Sequence, residues 1–427
     1  MNRFFYTLLF YLALPWVWLR LRARAKQQPA YLEHVGERFG TYPAFAKKPL
    51  IWLHAVSLGE TRATEPLVFA LLAAYPKHAL LLTHMTPTGR EAGAVLREKC
   101  HQKFGEDRVL QAYLPYDLPF AVRKFFAHFA PSIGLLMETE LWPNVILQAR
   151  AHNIPVLLIN ARLSEKSYRS YARISGLIKK TLNALAGIAA QTEADAGRLK
   201  LLGAPSVQVL GNLKFDVAPA PQKIKEGEGF RANFGARQVW LCASTREGEE
   251  ALILQAYKSL PRQKNRLLLL VARHPNRFDE VYAQVREAGL VVARRSLGEF
   301  PSLETQVWLG DTMGEMPAYF AAADLALMGG TLLPFGGQNL IEAAACGCPV
   351  VVGPHSFNFA QATEDAIKEG AARYLADPMA LSSTVSHLLD DPIALLTMRE
   401  AAYRFAKLHK GATERSLVLI EQHLARS

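Results

Sequence analysis

The feature of this sequence that most limits its fold is the alternation of short apolar runs with amphipathic stretches. Each apolar run is a few residues long and rich in Val, Ile and Leu, which is typical of a strand buried on both faces. Repetition of strand and helix in this way predicts parallel sheets covered by helices. The strands predicted in the first half are Leu50–His54, Ala79–His84, Val109–Leu114, Ile133–Met137, Val156–Ile159, Gly187–Gln191 and Val207–Leu210.

The alternation is interrupted at residues 217–229, VAPAPQKIKEGEG, which are rich in Pro, Gly and charge and have no apolar period. Such a composition predicts a linker. Because 427 residues are also about three times a typical domain, we expect two α/β domains with a ligand cleft between them. The strands predicted after the linker are Val239–Ala243, Leu267–Val271, Leu290–Ala293, Val307–Leu309, Leu325–Met328 and Val350–Val352.

The chain begins with an uncharged apolar run, residues 4–19, followed by a basic cluster, Arg20, Arg22, Arg24 and Lys26. No small-residue cleavage site follows the run, which disfavours a signal peptide. A buried core helix is disfavoured because the arginines would lie beside it. We therefore predict a membrane anchor with its basic cluster on the cytoplasmic side. As a helix the run would reach about 24 Å, short of the ~30 Å hydrocarbon core, so spanning the bilayer and lying in its surface both stay open.

The basic character of the chain favours anionic phospholipid as a partner. The net charge is +11, and residues 1–48 hold eight basic and two acidic side chains. No aromatic–basic RNA motif or zinc-finger spacing is present, so nucleic acid is disfavoured. The four cysteines form no CxxC pair, which predicts a reducing compartment and neither a disulfide framework nor a thiolate metal site.

Residues 329–354, GGTLLPFGGQNLIEAAACGCPVVVGP, are the richest in possible chemistry. A strand, then glycines, then a helix start deliver backbone N–H groups to one point, which is how phosphate is held without a metal. Glu342 in the first turn of that helix would accept from ribose hydroxyls; the alternative is an ordinary strand–helix turn. The chain has no GxGxxG after a strand, no GxxxxGK[ST] and no Asp-x-Asp after a strand, which disfavours nicotinamide, P-loop and metal-bridging enzymes. A nucleotide or nucleotide-sugar is the expected ligand.

Two further strand ends in the second half carry candidate ligand contacts. Arg273 follows the strand Leu267–Val271, and it is expected to meet a phosphate. Arg277 is expected to cap the next helix. Residues 313–315 form a similar corner, where an ordinary helix start explains the sequence nearly as well.

Candidate catalytic side chains follow strands of the first half. Glu60, in HAVSLGET, would take a proton from a hydroxyl or would complement the dipole of the following helix. Glu138 and Glu140, in METELWPN, follow another strand, and one of them is expected to be structural. Lys214, in GNLKFD, would neutralise a leaving phosphate or a substrate carboxylate; the alternative is a solvated surface lysine.

Ten motifs, in this order, resemble those of the 3-deoxy-D-manno-octulosonic acid (Kdo) transferases. They are GERFG (36–40), HAVSLGET, TPTGRE (86–91), METELWPN, NARLSEKSYRSYAR (160–173), QTEADAGR (191–198), GNLKFD, VARHPNRF, GDTMGEM and GGQNLIEAAACGCPVVVGPHSFNF (336–359).

The resemblance implies a GT-B fold of two Rossmann-like domains facing a cleft. It also implies an inverting transfer of Kdo from CMP-Kdo to the lipid A precursor, without metal or cofactor, in lipopolysaccharide inner-core synthesis at the cytoplasmic face of the inner membrane. The predicted segments are an anchor (1–26), an acceptor-binding domain (27–216), a linker (217–229), a donor-binding domain (230–404) and a C-terminal helix (405–427).

Site roles follow from the resemblance one position at a time. Glu60 matches the family's general base, and Glu138 and Lys214 match residues thought to stabilise the transition state. The positions that match CMP-contacting stretches are Ala272, Arg273, Met313, Gly314, Glu315, Asn339, Leu340, Ile341 and Glu342. The architecture alone would also suit a nucleotide-sugar epimerase, which needs no membrane segment, or a non-catalytic lipid- or nucleotide-binding protein.

Overall fold

A computed structural model describes residues 2–46, 48–261 and 265–424. The chain divides into two compact units, each built on one parallel sheet. Unit 1 comprises Met1–Val217 together with Lys410–Ser427, and unit 2 comprises Ala218–His409.

The sheet of unit 1 has seven parallel strands in the order β3-β2-β1-β4-β5-β6-β7. The order reverses between β1 and β4, and open sheets of this kind bind ligands beyond the carboxyl ends of the strands at such a point. Each strand predicted in this half is confirmed to within a few residues. The strands are Leu50–His54 (β1), Ala79–His84 (β2), Val109–Tyr113 (β3), Ile133–Met137 (β4), Val156–Ala161 (β5), Gly187–Ala190 (β6) and Gln208–Val209 (β7).

Helices cover both faces of this sheet and make two cores against it. Trp52 of β1 shows how tightly the layers fit, because a Cβ at Gly134 on neighbouring β4 would lie 2.6 Å from its ring. The helices of unit 1 up to this point in the chain are Arg3–Ala25 (α1), Leu58–Ala63 (α2), Glu65–Ala74 (α3), Pro87–Phe104 (α4), Pro119–Phe129 (α5), Pro143–Ala151 (α6), Glu165–Ala172 (α7), Ser175–Leu182 (α8) and Glu193–Leu201 (α9), with 3-10 turns at Pro29–Leu32, Val35–Phe39 and Leu213–Asp216.

Helix α1 is long and apolar enough to cross a membrane, and it is the one described helix that meets this test. It lies along unit 1 with most of its surface exposed. Phe10, Leu14 and Val17 pack against Leu118 and its neighbours. Near the start of the helix, Arg3 Nε donates to Asn144 Oδ1 at 2.7 Å. The predicted anchor is therefore a helix attached to the domain that follows it; residue 1 of the predicted range lies outside the described residues.

The sheet of unit 2 also has seven parallel strands, in the order β10-β11-β9-β8-β12-β13-β14. The six strands predicted here are confirmed, and a short seventh, β14 at the edge of the sheet, was not predicted. The strands are Gln238–Thr245 (β8), Arg266–Ala272 (β9), Val292–Arg294 (β10), Val307–Leu309 (β11), Leu325–Met328 (β12), Val350–Val352 (β13) and Ala372–Tyr374 (β14).

The helices of unit 2 pack on both faces of this sheet. They are Pro221–Phe234 (α10), Glu249–Lys258 (α11), Phe278–Glu287 (α12), Met316–Ala322 (α13), Leu340–Ala345 (α14), Ala360–Lys368 (α15), Leu381–Leu389 (α16) and Pro392–Leu408 (α17), with 3-10 turns at Pro275–Arg277, Arg295–Leu297 and Pro378–Ala380.

The prediction of a linker at 217–229 is wrong, because α10 covers most of that range. Pro221 occupies the first turn of the helix, where its missing N–H costs nothing. Gly227 allows close packing on α13, since a Cβ there would lie 2.4 Å from the carbonyl oxygen of Ala318. The Pro and Gly that suggested a linker are thus a helix start and a helix–helix contact.

The predicted boundary at 404/405 is also wrong. Helix α17 continues to Leu408 within unit 2, and the last helix, Ala412–Leu424 (α18), belongs to unit 1. Asp216 fixes the start of α18, because its carboxylate accepts from the backbone of Gly411 at 2.7 Å and Thr413 at 2.6 Å. The C-terminal helix therefore completes the first domain; residues 425–427 of its predicted range lie outside the described residues.

Gly227→Ala is expected to destabilise unit 2, because the added methyl group must displace α10 from the backbone of α13. Overpacking of this kind costs about 1–3 kcal/mol. Gly229→Ala is the matched control: nothing lies within 4 Å of its Cβ position, and alanine favours the helix by roughly 0.5–1 kcal/mol. Thermal unfolding should show a lower Tm for the first variant and an equal or higher Tm for the second. Equal Tm values for both variants would contradict the packing described.

Candidate active site

Glu60 lies in the first turn of α2, just beyond the carboxyl end of β1. Ser57 caps this helix, and its Oγ donates to Glu60 Oε1 at 2.9 Å. The second carboxylate oxygen, Oε2, accepts from the backbone N–H of Val56, also at 2.9 Å. The two predicted roles of Glu60 are therefore compatible: the capping contacts hold its carboxylate in one orientation at the edge of the sheet where the strand order reverses.

The surroundings of Glu60 raise its pKa to about 7. Burial is the largest cause, because it disfavours the charged form, and the neighbouring carboxylate of Glu138 is the next. The hydrogen bonds from Val56 and Ser57 oppose the shift, and Glu140 adds to it. A carboxyl group with a pKa near neutral is suited to accept a proton at physiological pH.

Glu138 and Lys214 are brought together as an ion pair, with Lys214 Nζ 3.2 Å from Glu138 Oε1. Glu138 follows β4, the neighbour of β1, and its φ of 54° lies in the left-handed region. Such backbone costs about 1–3 kcal/mol for a residue other than glycine and is concentrated at functional sites. The structure therefore places all three predicted catalytic residues, Glu60, Glu138 and Lys214, in unit 1.

Asn160 positions Lys214 and was not predicted as a site residue. Its side-chain Oδ1 accepts from the backbone N–H of Leu213 at 3.0 Å, which fixes the 3-10 turn that carries the lysine. Asn160 is buried and, like Glu60 and Glu138, lies at the carboxyl edge of the sheet, because it is at the end of β5. Its position at the end of an apolar run, within NARLSE, was the available signal.

Glu140 is the structural member of the METELWPN pair. Its Oε2 accepts from the indole Nε1 of Trp142 at 2.7 Å and lies 3.7 Å from Nε2 of His54. His54 is fully buried at the end of β1, and its Nδ1 lies 2.9 Å from Thr83 Oγ1. His54 was not among the predicted site residues, although it begins the HAVSLGET motif.

In unit 2 the glycine-rich segment lies where β12 ends, beside β8, at the reversal of strand order in this sheet. A buried carboxylate that the sequence analysis missed, Glu249, holds the first part of the segment. It accepts from the backbone N–H groups of Gly330 at 2.6 Å and Leu332 at 2.9 Å. The expectation that these glycines present free N–H groups is therefore wrong for Gly330, and also for Gly329 and Gly337, whose N–H groups donate to backbone carbonyls. The signal for Glu249 was its place just after the strand β8, in STREGEE.

The later part of the glycine-rich segment leads into α14. Asn339 caps the helix, and its Oδ1 accepts from the backbone N–H of Ile341 at 3.2 Å. Glu342 lies in the first turn and is half-buried.

The other residues predicted to contact CMP lie at the same carboxyl edge of the sheet. Ala272 ends β9, and Arg273 follows it half-buried, its backbone N–H donating to Thr245 at 3.0 Å. The carboxylate of Glu315 accepts from the guanidinium of Arg295 at 2.9 Å and is therefore already paired within unit 2. Arg277 precedes α12 as predicted, but its side chain makes no capping hydrogen bond and instead forms a buried ion pair with Glu250.

Comparison with known proteins identifies both halves of the chain. Residues 33–217 match the family model described as 3-Deoxy-D-manno-octulosonic-acid transferase (kdotransferase), and residues 250–405 match that of the Glycosyl transferases group 1. The 3-deoxy-D-manno-octulosonic acid transferase of Bordetella pertussis is 44% identical, covering 99% of this chain and 100% of that protein. The transferase of the same name from Haemophilus influenzae is 34% identical, covering 100% of both.

Solved structures share the two-unit architecture. A putative UDP-N-acetylglucosamine 2-epimerase from Listeria monocytogenes matches with a TM-score of 0.58 at 15% identity, covering 90% of this chain and 98% of that chain. A glycosyltransferase from Rickettsia africae also matches with a TM-score of 0.58, at 14% identity, covering 90% of this chain and 100% of that one. The predicted fold, two parallel-sheet α/β domains of GT-B type, is confirmed.

Glu60→Gln is expected to change how stability depends on pH. The folded-state pKa of Glu60 is raised from 4.5 to about 7, so between these values the folded protein binds a proton that the unfolded chain has lost. Stability of the wild type therefore falls as pH rises through this range, and the variant lacks this contribution. Its unfolding midpoint relative to wild type should be higher at about pH 8 than at about pH 5, as measured by urea denaturation.

The control for this measurement is Glu193→Gln, which removes an exposed carboxylate from the first turn of α9 in the same unit. Both glutamates lie in the first turn of a helix, but Glu193 is exposed. The control therefore separates the effect on stability of burying Glu60 near other carboxylates from the effect of removing a charge beside a helix dipole. If the difference in unfolding midpoint between Glu60→Gln and wild type stays constant with pH, the pKa of Glu60 is not raised to near neutrality.

Proposed function

This chain belongs to the Kdo transferase family, and we propose that it moves Kdo from CMP-Kdo onto the lipid A precursor in an inverting, metal-independent reaction. The product is the first part of the lipopolysaccharide inner core. The single observation that supports this function best is the oriented carboxylate of Glu60, whose pKa of about 7 suits a general base. Kdo transfer needs such a base to deprotonate the acceptor hydroxyl.

The proposed mechanism is one displacement at the anomeric carbon of Kdo. Glu60 accepts the proton of the acceptor hydroxyl while its oxygen forms the new glycosidic bond. The bond from the anomeric carbon to the phosphate oxygen breaks, and CMP leaves with the electron pair. Attack from the face opposite the leaving group inverts the anomeric configuration.

Glu138 and Lys214 are proposed to stabilise the transition state from unit 1. Positive character gathers on the sugar ring, which a carboxylate favours, and negative charge gathers on the leaving phosphate, which an ammonium favours. The contact of 3.2 Å between them fixes both charges before the substrate arrives. Removing one such preorganised group commonly costs about 10²–10³-fold in kcat.

CMP is proposed to bind unit 2 along the carboxyl edge of its sheet. Arg273 offers a guanidinium for the phosphate, Ala272 and residues 313–315 offer backbone groups, and residues 339–342 offer the start of α14 with Glu342 for the ribose. Unit 2 is then the donor-binding domain and unit 1 the acceptor-binding domain.

Helix α1 is proposed to attach the protein to the cytoplasmic face of the inner membrane, lying in the interface. The contact of Arg3 with Asn144 at 2.7 Å, and the packing of Phe10, Leu14 and Val17 on the domain, keep the helix along the surface of unit 1. A helix held to a folded domain in this way is suited to lie at the headgroup boundary. The basic cluster that follows favours anionic phospholipid.

Incubating the purified protein with CMP-Kdo and a tetraacylated lipid A precursor should release CMP and give a lipid whose mass is increased by Kdo. Glu60→Gln is expected to lower kcat by about 10²–10⁴-fold with little change in the KM for CMP-Kdo, because the base is lost and the donor site is not. The wild-type rate should fall below about pH 7 as Glu60 is protonated. Mass spectrometry detects the extended lipid, and quantitation of released CMP gives the rates.

Glu193→Gln serves again as the control and should retain the wild-type rate. A wild-type protein that releases no CMP in the presence of the lipid would contradict the transferase and favour a binding protein. An epimerase would change the donor without extending the lipid. Near-normal turnover by Glu60→Gln would remove Glu60 from the base role.

Transfer is expected to continue in the presence of excess EDTA. The phosphate charge is offset by Arg273 and Lys214 in this proposal, so no divalent cation is needed to bind CMP-Kdo or to let CMP depart. Initial rates with EDTA and with added Mg²⁺ should agree within about twofold. A loss of activity with EDTA that Mg²⁺ restores would refute this part of the mechanism.

A further inference from the structure

Helix α1 has two different faces. On one of them Phe10, Leu14 and Val17 pack against a small apolar cluster of unit 1 that includes Tyr116 and Leu118. The opposite face carries large exposed side chains, Phe4, Leu8, Leu12, Trp16 and Leu19.

A pocket of about 280 Å³ lies between α1 and the domain, and its lining is almost entirely apolar. It is formed by Leu14, Pro15, Val17, Trp18, Phe39 and Tyr116. A pocket of this size is smaller than those that enclose whole ligands. Its shape and chemistry suit part of one alkyl chain.

We propose that this pocket receives an acyl chain of the lipid acceptor, an inference that rests on the proposed function. Pro15 and Trp18 line the pocket and are also exposed, so the pocket opens at the surface of the helix that is proposed to contact the lipid layer. A chain therefore passes from the lipid layer into the pocket without crossing polar surface.

The charges beside the pocket fit the phosphorylated headgroup of such a lipid. The guanidinium of Arg22 lies over the ring of Trp18, 5.1 Å from its centroid, and that of Arg20 lies over Trp16 at 5.2 Å. Aromatic rings and cations paired in this way lie at the headgroup level of a membrane. The guanidinium over the pocket-lining Trp18 therefore lies where the acyl chain would meet its phosphorylated headgroup.

A chain of hydrogen bonds, through backbone groups and the side chain of Arg38, connects the pocket to the loop of Glu60. This connection favours the acceptor over bulk phospholipid as the occupant. Arg38, whose carbonyl accepts from the N–H of Tyr116, donates through Nη2 to the carbonyl of Met85 at 3.2 Å. The N–H of Met85 in turn contacts the carbonyl of Val56 at 3.4 Å, and Val56 donates to Glu60. The pocket and Glu60 therefore share the carboxyl edge of one sheet, so an acyl chain held here brings its own sugar headgroup to that edge.

Leu14→Trp fills the pocket, and Leu12→Trp makes the same substitution on the exposed face of the same helix. The first variant should raise the KM for the tetraacylated precursor by about tenfold, since excluding two methylenes from an apolar site already weakens binding by roughly that factor. Its rate with a deacylated, water-soluble acceptor should match wild type. Leu12→Trp should leave both acceptors unaffected, and vesicle sedimentation should show that both variants bind phosphatidylglycerol membranes.

Equal losses with both acceptors, or equal effects of the two variants, would overturn the inference. A second measurement does not depend on catalysis or on a variant that folds: wild-type protein in phosphatidylglycerol vesicles is irradiated with a lipid A precursor carrying a diazirine in one acyl chain. Labelling should fall on the peptides of Phe39 and Tyr116 and should exceed that by a diazirine-bearing phosphatidylglycerol.

Labelling confined to the exposed residues of α1, or equal labelling by the phospholipid, would overturn the acyl-chain assignment even if transfer is normal. Labelling of Phe39 and Tyr116 by the precursor in a protein that transfers no Kdo would instead refute the proposed function and retain the pocket as a lipid site. The two failures are therefore distinguishable.

Discussion

The constraint on which the rest of the structure depends is the common direction of the strands in each sheet. Because every strand of unit 1 runs parallel to its neighbours, the side chains that follow the strands gather at one edge, and the reversal of strand order between β1 and β4 leaves room for them there. Glu60 follows the first of these strands and Glu138 the second. The raised pKa of Glu60 is a direct result, since burial at this edge disfavours its charged form and the nearby carboxylate of Glu138 adds to that effect.

This arrangement costs stability, and other parts of unit 1 offset the cost. Glu138 adopts left-handed backbone, and Lys214, which pairs with it, lies on a turn that is held by Asn160. The surrounding strands are fully buried, so the framework that fixes these groups is apolar and does not compete for their hydrogen bonds. A strained backbone conformation at such an edge persists only where the surrounding structure holds the residue in place.

Much of the fold was predictable because the strands are buried on both faces. Their apolar runs ended within two residues of the ends of the strands in the structure, and the residues just beyond, Glu60 and Arg273 among them, were recognisable as candidates for that reason. The short edge strand β14 is only partly buried and gave no such run. The mistaken linker shows a different limit: Gly227 had the composition of a loop, and only its contact with Ala318 explains it.

Contacts between residues distant in sequence could not be predicted from the sequence either. Glu249 binds backbone N–H groups more than 80 residues away, and a carboxylate at a helix start has no local feature that reveals such a partner. The glycine-rich segment was therefore correctly placed between a strand and a helix, but the account of its free N–H groups was wrong. Glu249 is buried and accepts from the backbone N–H groups of Arg246, Gly330 and Leu332, so the shape of the segment depends on a carboxylate supplied by the protein itself.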